Sequence, residues 1–262
     1  MDKFIYKKKF GQNFLQDQGI LQEIASCLPI TKEDLVIEIG AGHGALTQYL
    51  KKTKAYVLCY EIDRTTKAQL DKLLDSRCQV KYQDFLATDL IKDIDGIKYN
   101  NIYVVANLPY NITTPIIKKL IDTKIDIGAM CLMVQKEVGT RFTANPGCKD
   151  YGSLTIYLNY YFNIRKLTDV NRKYFKPVPN VDSSILIFET KEKNTLVIDE
   201  NHLFELIKKA FIHKRKTIRN NLLDYDLTKV EKVLKKYDLS LASRAEQIPI
   251  KVFIDLSNTL VS

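Results

Sequence analysis

Short apolar runs alternate with amphipathic stretches through the first half of the chain. The runs at 35–39, 55–60, 78–82, 102–106 and 128–134 are continuous enough to read as buried strands. Between them, 45–52, 64–75 and 114–121 carry apolar residues at helical spacing. An earlier helix is expected from Gln18 to Cys27, where Ile20, Leu21, Ile24 and Cys27 share a face, and it ends before Pro29. Strands alternating with helices predict an α/β fold with a parallel sheet covered on both faces.

Beyond Tyr151 the pattern changes. Residues 154–161 fit a helix or a strand, and periodicity does not decide between them. Strands are expected at 160–167 and 183–190, around the loop Phe175-Lys176-Pro177-Val178-Pro179-Asn180. Lys191 to Asn194 reads as a linker, and from His202 onward only helices are expected, at 202–213, 216–223, 228–236 and 249–260. This predicts two domains, 1–193 and a small all-helical 194–262, with a basic arm over residues 1–16.

Composition adds a partner class. Of 262 residues, 45% are hydrophobic and 27% charged, ordinary values for a globular chain, but the net charge of +9 favours a polyanion such as nucleic acid. Five scattered cysteines without a C-x-x-C pair read as reduced thiols, and with three histidines no metal site is expected. No signal-peptide h-region and no run of membrane-spanning length is visible, so the expected compartment is the cytoplasm.

Candidate chemistry begins at the turn Glu38-Ile39-Gly40-Ala41-Gly42-His43-Gly44, where a strand meets a helix. Glycines there let backbone approach a ligand closely. The spacing also fits a dinucleotide fingerprint, with Glu61 about where a ribose-binding carboxylate belongs, and a purely structural turn fits as well. Asp84 follows the third strand. In a sheet that binds S-adenosylmethionine this point lies beside the adenine, whose amino group the carboxylate can accept from while Phe85 packs near the ring. For Asp84 alone a helix cap is the simpler reading. The histidine a nicotinamide enzyme would use is missing from the strand ends.

The second constellation is Asn107-Leu108-Pro109-Tyr110, directly after a strand. An exocyclic adenine amine is a poor nucleophile because its lone pair is delocalised into the ring. The Asn107 amide oxygen and the Pro109 carbonyl can draw the amine toward sp³ geometry, while Tyr110 stacks on the flipped base. Phe175 is expected on the other face of that base, although a hydrophobic plug fits the same loop. Cations in His213-Lys214-Arg215-Lys216-Thr217-Ile218-Arg219 read as a basic helix suited to phosphate contacts, with Arg165, Lys166, Arg172 and Lys173 as a second group.

With these motifs in place the chain resembles the KsgA-type ribosomal RNA adenine N6,N6-dimethyltransferases over nearly its whole length. The resemblance rests on Gly11-Gln12-Asn13-Phe14-Leu15, Glu38-Ile39-Gly40-Ala41-Gly42, Asn107-Leu108-Pro109-Tyr110 and the Phe175 loop. It extends to Gln135-Lys136-Glu137-Val138, Lys149-Asp150-Tyr151-Gly152-Ser153 and Arg244-Ala245-Glu246. It implies a class I Rossmann-like methyltransferase domain and dimethylation of two adjacent adenosines near the 3′ end of 16S rRNA in the immature 30S subunit; nothing in the sequence demands more than a monomer. It further implies that Asn13, Leu15, Gly40, Glu61, Asp84 and Asn107 contact S-adenosylmethionine, with Gln12, Gly42, Ile62 and Phe85 beside them. Tyr110 and Phe175 would hold the target adenine, and Lys214, Arg215, Lys216 and Arg219 the RNA. The nearest alternative is an Erm-type 23S rRNA methyltransferase, against which Lys149-Asp150-Tyr151-Gly152 and the 215–220 segment argue. A mainly non-catalytic small-subunit assembly factor is the other.

Overall fold

The apolar runs of the first half pair into one sheet. A computed structural model describes residues 13–109, 112–192 and 196–261. Its strands are β1 (Phe14–Leu15), β2 (Leu35–Ile39), β3 (Tyr56–Tyr60), β4 (Cys78–Lys81), β5 (Ile102–Asn107), β6 (Ile127–Gln135), β7 (Phe162–Val170), β8 (Phe175–Lys176) and β9 (Ser183–Thr190). Its helices are α1 (Gln18–Ser26), α2 (Thr47–Leu50), α3 (Lys67–Leu70), α4 (Leu90–Ile94), α5 (Thr113–Asp122), α6 (Lys136–Phe142), α7 (Ser153–Tyr161), α8 (Glu200–Ala210), α9 (Ile218–Asn221), α10 (Leu227–Lys235) and α11 (Ile250–Val261).

The seven-stranded sheet runs β4-β3-β2-β5-β6-β9-β7. β2 through β6 are mutually parallel where they pair, and β9 is antiparallel to β6. The chain leaves β2 toward β3 and β4 on one side, then returns to β5 on the other. The order therefore reverses between β2 and β5, and the crevice outside their carboxyl ends is where open α/β sheets bind ligands. Every residue of β2 is buried, as are the first five of β5, which is why both runs are apolar without alternation.

Asp34 fixes the register of this central pair from below. Its carboxylate, 1% exposed, accepts from the Thr31 N–H (2.8 Å) and hydroxyl (2.7 Å), and from the Asn101 N–H (3.0 Å) and side-chain amide (2.9 Å). Burial alone would raise its pKa, but these four hydrogen bonds outweigh it and hold the carboxyl below its usual range.

The helices expected at 45–52 and 64–75 are shorter and broken. α2 tightens into a 3-10 turn at Lys51–Thr53 and stops because Lys54 turns left-handed (φ 64°). α3 lies between 3-10 turns at Arg64–Thr66 and Asp71–Leu73, and Asp75 must leave it to bridge Cys78. The undecided segment 154–161 is helix, α7, and the strand expected at 160–167 begins after it.

By contacts the chain divides differently from the expected boundary near 194. One unit comprises 1–139 and 165–190, and the other 140–164 and 191–262. The reason is α7. Ile156 and Tyr160, one turn apart, join Tyr151 in a core with Leu203, Leu206, Ile207, Val233, Phe253 and Leu256. The second unit is thus helical, as expected of the C-terminal region, but recruits a segment from the middle of the chain. Among the described residues no helix is long and apolar enough to cross a membrane.

Replacing Asp34 with Ala strands two N–H groups and an amide at the foot of the sheet and should cost about 2–4 kcal/mol at pH 7. Because the folded pKa is depressed, this stability is present above the unfolded value of 3.8 and is lost as pH falls through the folded one. Urea unfolding of both proteins should show the gap shrinking below pH 4, and a pH-independent gap would contradict the hydrogen-bonded carboxylate.

Candidate cofactor and target site

At the carboxyl end of β2 the chain makes three left-handed glycines in five residues, Gly40 (φ 78°), Gly42 (φ 57°) and Gly44 (φ 82°). Gly40 and Ala41 donate to the Tyr60 carbonyl at 2.8 and 3.3 Å, which ties the turn to the end of β3. Gly42 is closed over from above. A Cβ there would lie 2.7 Å from the Phe14 ring, and that ring also stacks at 4.5 Å on His43. Phe14 belongs to β1, which pairs with β8 in the register Phe14 to Lys176 and Leu15 to Phe175. Phe14 and Leu15 therefore lie along the glycine turn, held by the same loop that carries Phe175.

Glu61 follows β3 and is 5% exposed. One of its oxygens accepts from Gly42 N–H and the other from Asp63 N–H, both at 2.7 Å. Burial pushes its pKa up against these hydrogen bonds. Each carboxylate oxygen has two acceptor sites, so this carboxyl can receive two ribose hydroxyls without releasing the turn. Ile62, beside it, is 44% exposed, an apolar surface at the mouth. Asp84 is exposed and accepts from Leu86 N–H at 2.9 Å, so it caps the 3-10 turn Phe85–Ala87 as the simpler reading anticipated, with acceptor sites to spare. Phe85 is buried, edge-on to Tyr60 at 5.0 Å. It forms the floor of this corner beneath Asp84.

Asn107 ends β5 beside the glycine turn, its carbonyl oxygen 3.6 Å from where a Cβ on Gly40 would stand. Its amide nitrogen donates to the Asn13 carbonyl at 3.1 Å. That bond fixes the orientation of the side chain, because a carbonyl partner selects the NH₂ end and makes Oδ1 the acceptor end. Leu108 is buried, its N–H 3.4 Å from the Met133 carbonyl, and so anchors the tetrapeptide to β6. The Pro109 carbonyl accepts Ile112 N–H at 3.1 Å and lies 3.5 Å from the Thr113 hydroxyl. It is engaged in the turn that leads into α5, and the Thr113 hydroxyl, at the long limit of a hydrogen bond, has to swing away for the second lone pair to reach an incoming amine. Tyr110 and Gln12 lie outside the described residues.

Phe175 is 3% exposed and packs in the sheet core with Leu15 and Val170, the hydrophobic-plug arrangement, while its expected partner across the base, Tyr110, lies outside the described residues. What the loop exposes is Val178 (60%) and Val181 (43%). The loop is braced by Arg172, whose N–H donates to Asp182 at 2.9 Å and whose guanidinium donates to the Asn180 carbonyl at 3.0 Å. Arg172 is exposed, and its guanidinium braces the surface of this loop.

The basic segment is not a helix over its length. His213–Lys216 form tight turns and only Ile218–Asn221 is helical. Asn221, 7% exposed, clamps the segment: it accepts from His213 N–H at 3.2 Å and donates to the carbonyls of His213 and Thr217 at 3.3 and 3.4 Å. Lys214, Arg215, Lys216 and Arg219 are exposed around it, and Lys214 also donates to the Lys149 carbonyl at 3.3 Å.

The sequence reading gives Glu38 no role of its own, yet an acid inside an apolar strand run is a signal in itself. Glu38 is 1% exposed, accepts the Thr47 hydroxyl at 2.6 Å and lies 3.3 Å from the Cys59 thiol. Desolvation, offset in part by those hydrogen bonds, pushes its pKa up to about 7.

Known proteins answer to this arrangement. The profile of the family described as ribosomal RNA adenine dimethylase matches residues 3–261. The chain belongs to this family. It is 41% identical to ribosomal RNA small subunit methyltransferase A of Lactococcus lactis, with 98% of this chain and 91% of that protein covered. It is 42% identical to the protein of the same description from Streptococcus gordonii, with 99% and 93% covered. Among solved structures a dimethyladenosine transferase from Plasmodium falciparum superposes with a TM-score of 0.77 at 28% identity, covering 93% of this chain and 95% of that one. The 23S rRNA methyltransferase ErmE superposes at 0.73 with 23% identity and 95% of this chain covered, a likeness of fold. The fold is therefore the Rossmann-like methyltransferase fold with a helical C-terminal region, and the family's activity is S-adenosylmethionine-dependent adenine dimethylation of rRNA. The site fits that cofactor. It offers a backbone cradle at Gly40–Gly44, a buried carboxylate with acceptor sites to spare at Glu61, an exposed apolar side chain at Ile62 and an exposed carboxylate at Asp84.

Since the folded pKa of Glu38 lies above the unfolded one, the protonated form is favoured in the fold and stability falls as pH rises from about 4.5 to 7. Glu38→Gln should therefore gain on the parent between pH 5 and pH 8, by up to about 3 kcal/mol. Urea midpoints at three pH values check this, and a difference that stays flat with pH would mean that Glu38 is charged throughout.

Proposed function

We propose that the chain dimethylates the N6 amines of two adjacent adenosines in the 3′-terminal hairpin of 16S rRNA, on the assembling small ribosomal subunit in the cytoplasm. Asn107 carries the reading. Its amide is turned by the Asn13 carbonyl so that Oδ1 is the acceptor end, and it stands where the glycine turn and β5 converge. The cofactor supplies an electrophilic methyl group on a sulfonium. The rest falls to this chain. The Gly40–Gly44 backbone and Glu61 hold the nucleoside, Ile62 covers one face of the adenine, and Asp84 accepts from its amino group. Oδ1 of Asn107 accepts one N–H of the target amine and the second lone pair of the Pro109 carbonyl takes the other, which lifts nitrogen electron density out of the base plane. Tyr110 stacks on the flipped base. No strong general base is required, because the amine proton becomes acidic only as the new bond forms and can then pass to water.

Small-subunit RNA is favoured over 23S rRNA by the two bacterial relatives, both described as small subunit methyltransferases and covered almost end to end. The exposed cations Lys214, Arg215 and Lys216, on a loop clamped by Asn221, and Arg219 in α9 are assigned to rRNA phosphates.

The first test is methyl transfer from labelled S-adenosylmethionine to unmethylated 30S subunits and, separately, to 23S rRNA, with the label mapped by nuclease digestion and mass spectrometry. Dimethyladenosine in the 16S 3′-terminal hairpin is expected, and Asn107→Ala should lower the rate constant about 10²-fold or more while leaving RNA affinity within about threefold. Label in 23S rRNA instead would move the chain to the other substrate. Subunit binding without label would make it an assembly factor.

A Lys214→Ala/Arg215→Ala double variant should bind the subunit more weakly, and its log Kd against log salt should flatten by roughly 1–2. An unchanged slope would place these cations away from the RNA.

A further inference from the structure

One half-buried cation near the site has no part in the roles assigned above. Lys119 lies on α5, the helix that starts just after the Asn107 tetrapeptide. It is half-buried, and its ammonium reaches across to the segment after β4, donating to the carbonyls of Leu86 (2.9 Å) and Thr88 (2.6 Å). It also sits 5.4 Å over the Phe85 ring. These two carbonyls close the 3-10 turn Phe85–Ala87, whose other end is held by Asp84 through Leu86 N–H. Carbonyls at the end of a single turn have no partner within it, and here a lysine from another element provides one. The neighbouring Lys118 is on the exposed face of the same helix.

We propose that Lys119 is a positioning residue for the adenine end of the cofactor. It fixes the turn that aims the Asp84 carboxylate, acting through Leu86. The inference rests on the assignment of Asp84 to the cofactor adenine. Without the ammonium, the carbonyls of Leu86 and Thr88 turn toward water, the peptide planes of the turn rotate, and the Leu86 N–H that orients Asp84 moves with them. The lysine contacts neither the methyl group nor the target base, so its loss acts on nucleoside affinity and spares the chemical step. A second group of contacts braces the start of the same turn. Asp93 accepts from Tyr60 hydroxyl (2.9 Å) and Gln83 amide (3.2 Å) and pairs with Lys81 at 3.0 Å. The turn is thus held from the β3–β4 side as well, and Lys119 is its hold from the α5 side.

The test compares Lys119→Met, Lys119→Arg, Lys118→Met and Asp84→Ala with the parent protein, by calorimetric Kd for S-adenosylhomocysteine and for 5′-methylthioadenosine, which lacks the amino-acid end. Lys119→Met should weaken both ligands about five- to thirtyfold and by similar factors, as expected for one or two lost charge-assisted hydrogen bonds. Its rate constant at saturating cofactor should stay within about twofold of the parent's, since only ground-state and transition-state binding in common are removed. Lys119→Arg, which keeps the donors, should recover most of the affinity, and Lys118→Met should bind as the parent does. Lys119→Gln replaces the Met variant in the same comparison if the latter does not fold. Parental affinity in Lys119→Met overturns the proposal. So does equal loss in Met and Arg variants, or a loss confined to S-adenosylhomocysteine. If Asp84→Ala also binds both ligands as the parent does, the adenine assignment itself is wrong and the role of Lys119 falls with it.

Discussion

Everything at the site follows from the parallel pairing of β2 with β5. Two parallel strands that are adjacent in space but separated in sequence by two other strands end at the same edge, and what the chain does after each end is then forced into one crevice. After β2 it must turn sharply, which the left-handed glycines allow. After β5 it must turn toward α5, which begins at Thr113. Gly40 and Asn107 become neighbours through backbone geometry alone. The Asp34 carboxylate, gripping the opposite ends of these strands, keeps that edge in register and so acts on the site from the far side of the sheet.

The crevice is completed by a segment from outside the alternating pattern. β1 is two residues long, too short to persist without partners. It is held by β8, by the packing of Phe14 on the glycine turn and by the Asn107 amide on the Asn13 carbonyl. One short pairing thereby links the cofactor cradle, the acceptor amide and the Phe175 loop. The same pairing explains why Phe175 is buried. Opposite Leu15 in the ladder, its ring goes to the core, and the loop meets its surroundings through Val178 and Val181 instead.

The central strands of the sheet were legible because full burial on both faces leaves an apolar run that little else produces. 35–39 and 183–190 coincide with β2 and β9, and the remaining central strands differ by a residue or two at their ends. The interrupted helices were not legible. What breaks α2 and α3 is a left-handed lysine and a bridge to β4, both tertiary facts. β1 and β8 carry no periodicity, being two residues each. The unit boundary was hidden for a related reason. The helix at 153–161 contributes its apolar face to the C-terminal core, and sequence order does not record which core a helix joins. At the site, the residues were readable as motifs while their partners were not. Asn107 is visible in the sequence, but that Asn13 orients it is a contact across 94 residues.

Three acids near the crevice divide the work by what surrounds them. Glu61 and Asp84 each hold backbone N–H groups that shape the wall of the site, and a carboxylate engaged in this way still has acceptor sites for a ligand. Structure and recognition are then the same hydrogen-bond geometry, and the wall cannot relax without moving the acceptor. Glu38 lies deeper, reached by Thr47 and by the Cys59 thiol. These partners do not offset the loss of water, so its proton is retained toward neutrality where Asp34, with four donors, gives its proton up. The difference between these two buried carboxyls is the number of donors the backbone brings to each. Where backbone and amide donors converge, as at Asp34, the charge is kept and fixes the register. Where fewer do, as at Glu38, the pKa rises to about 7 and the acid takes up its charge only near neutrality, beneath the glycine turn.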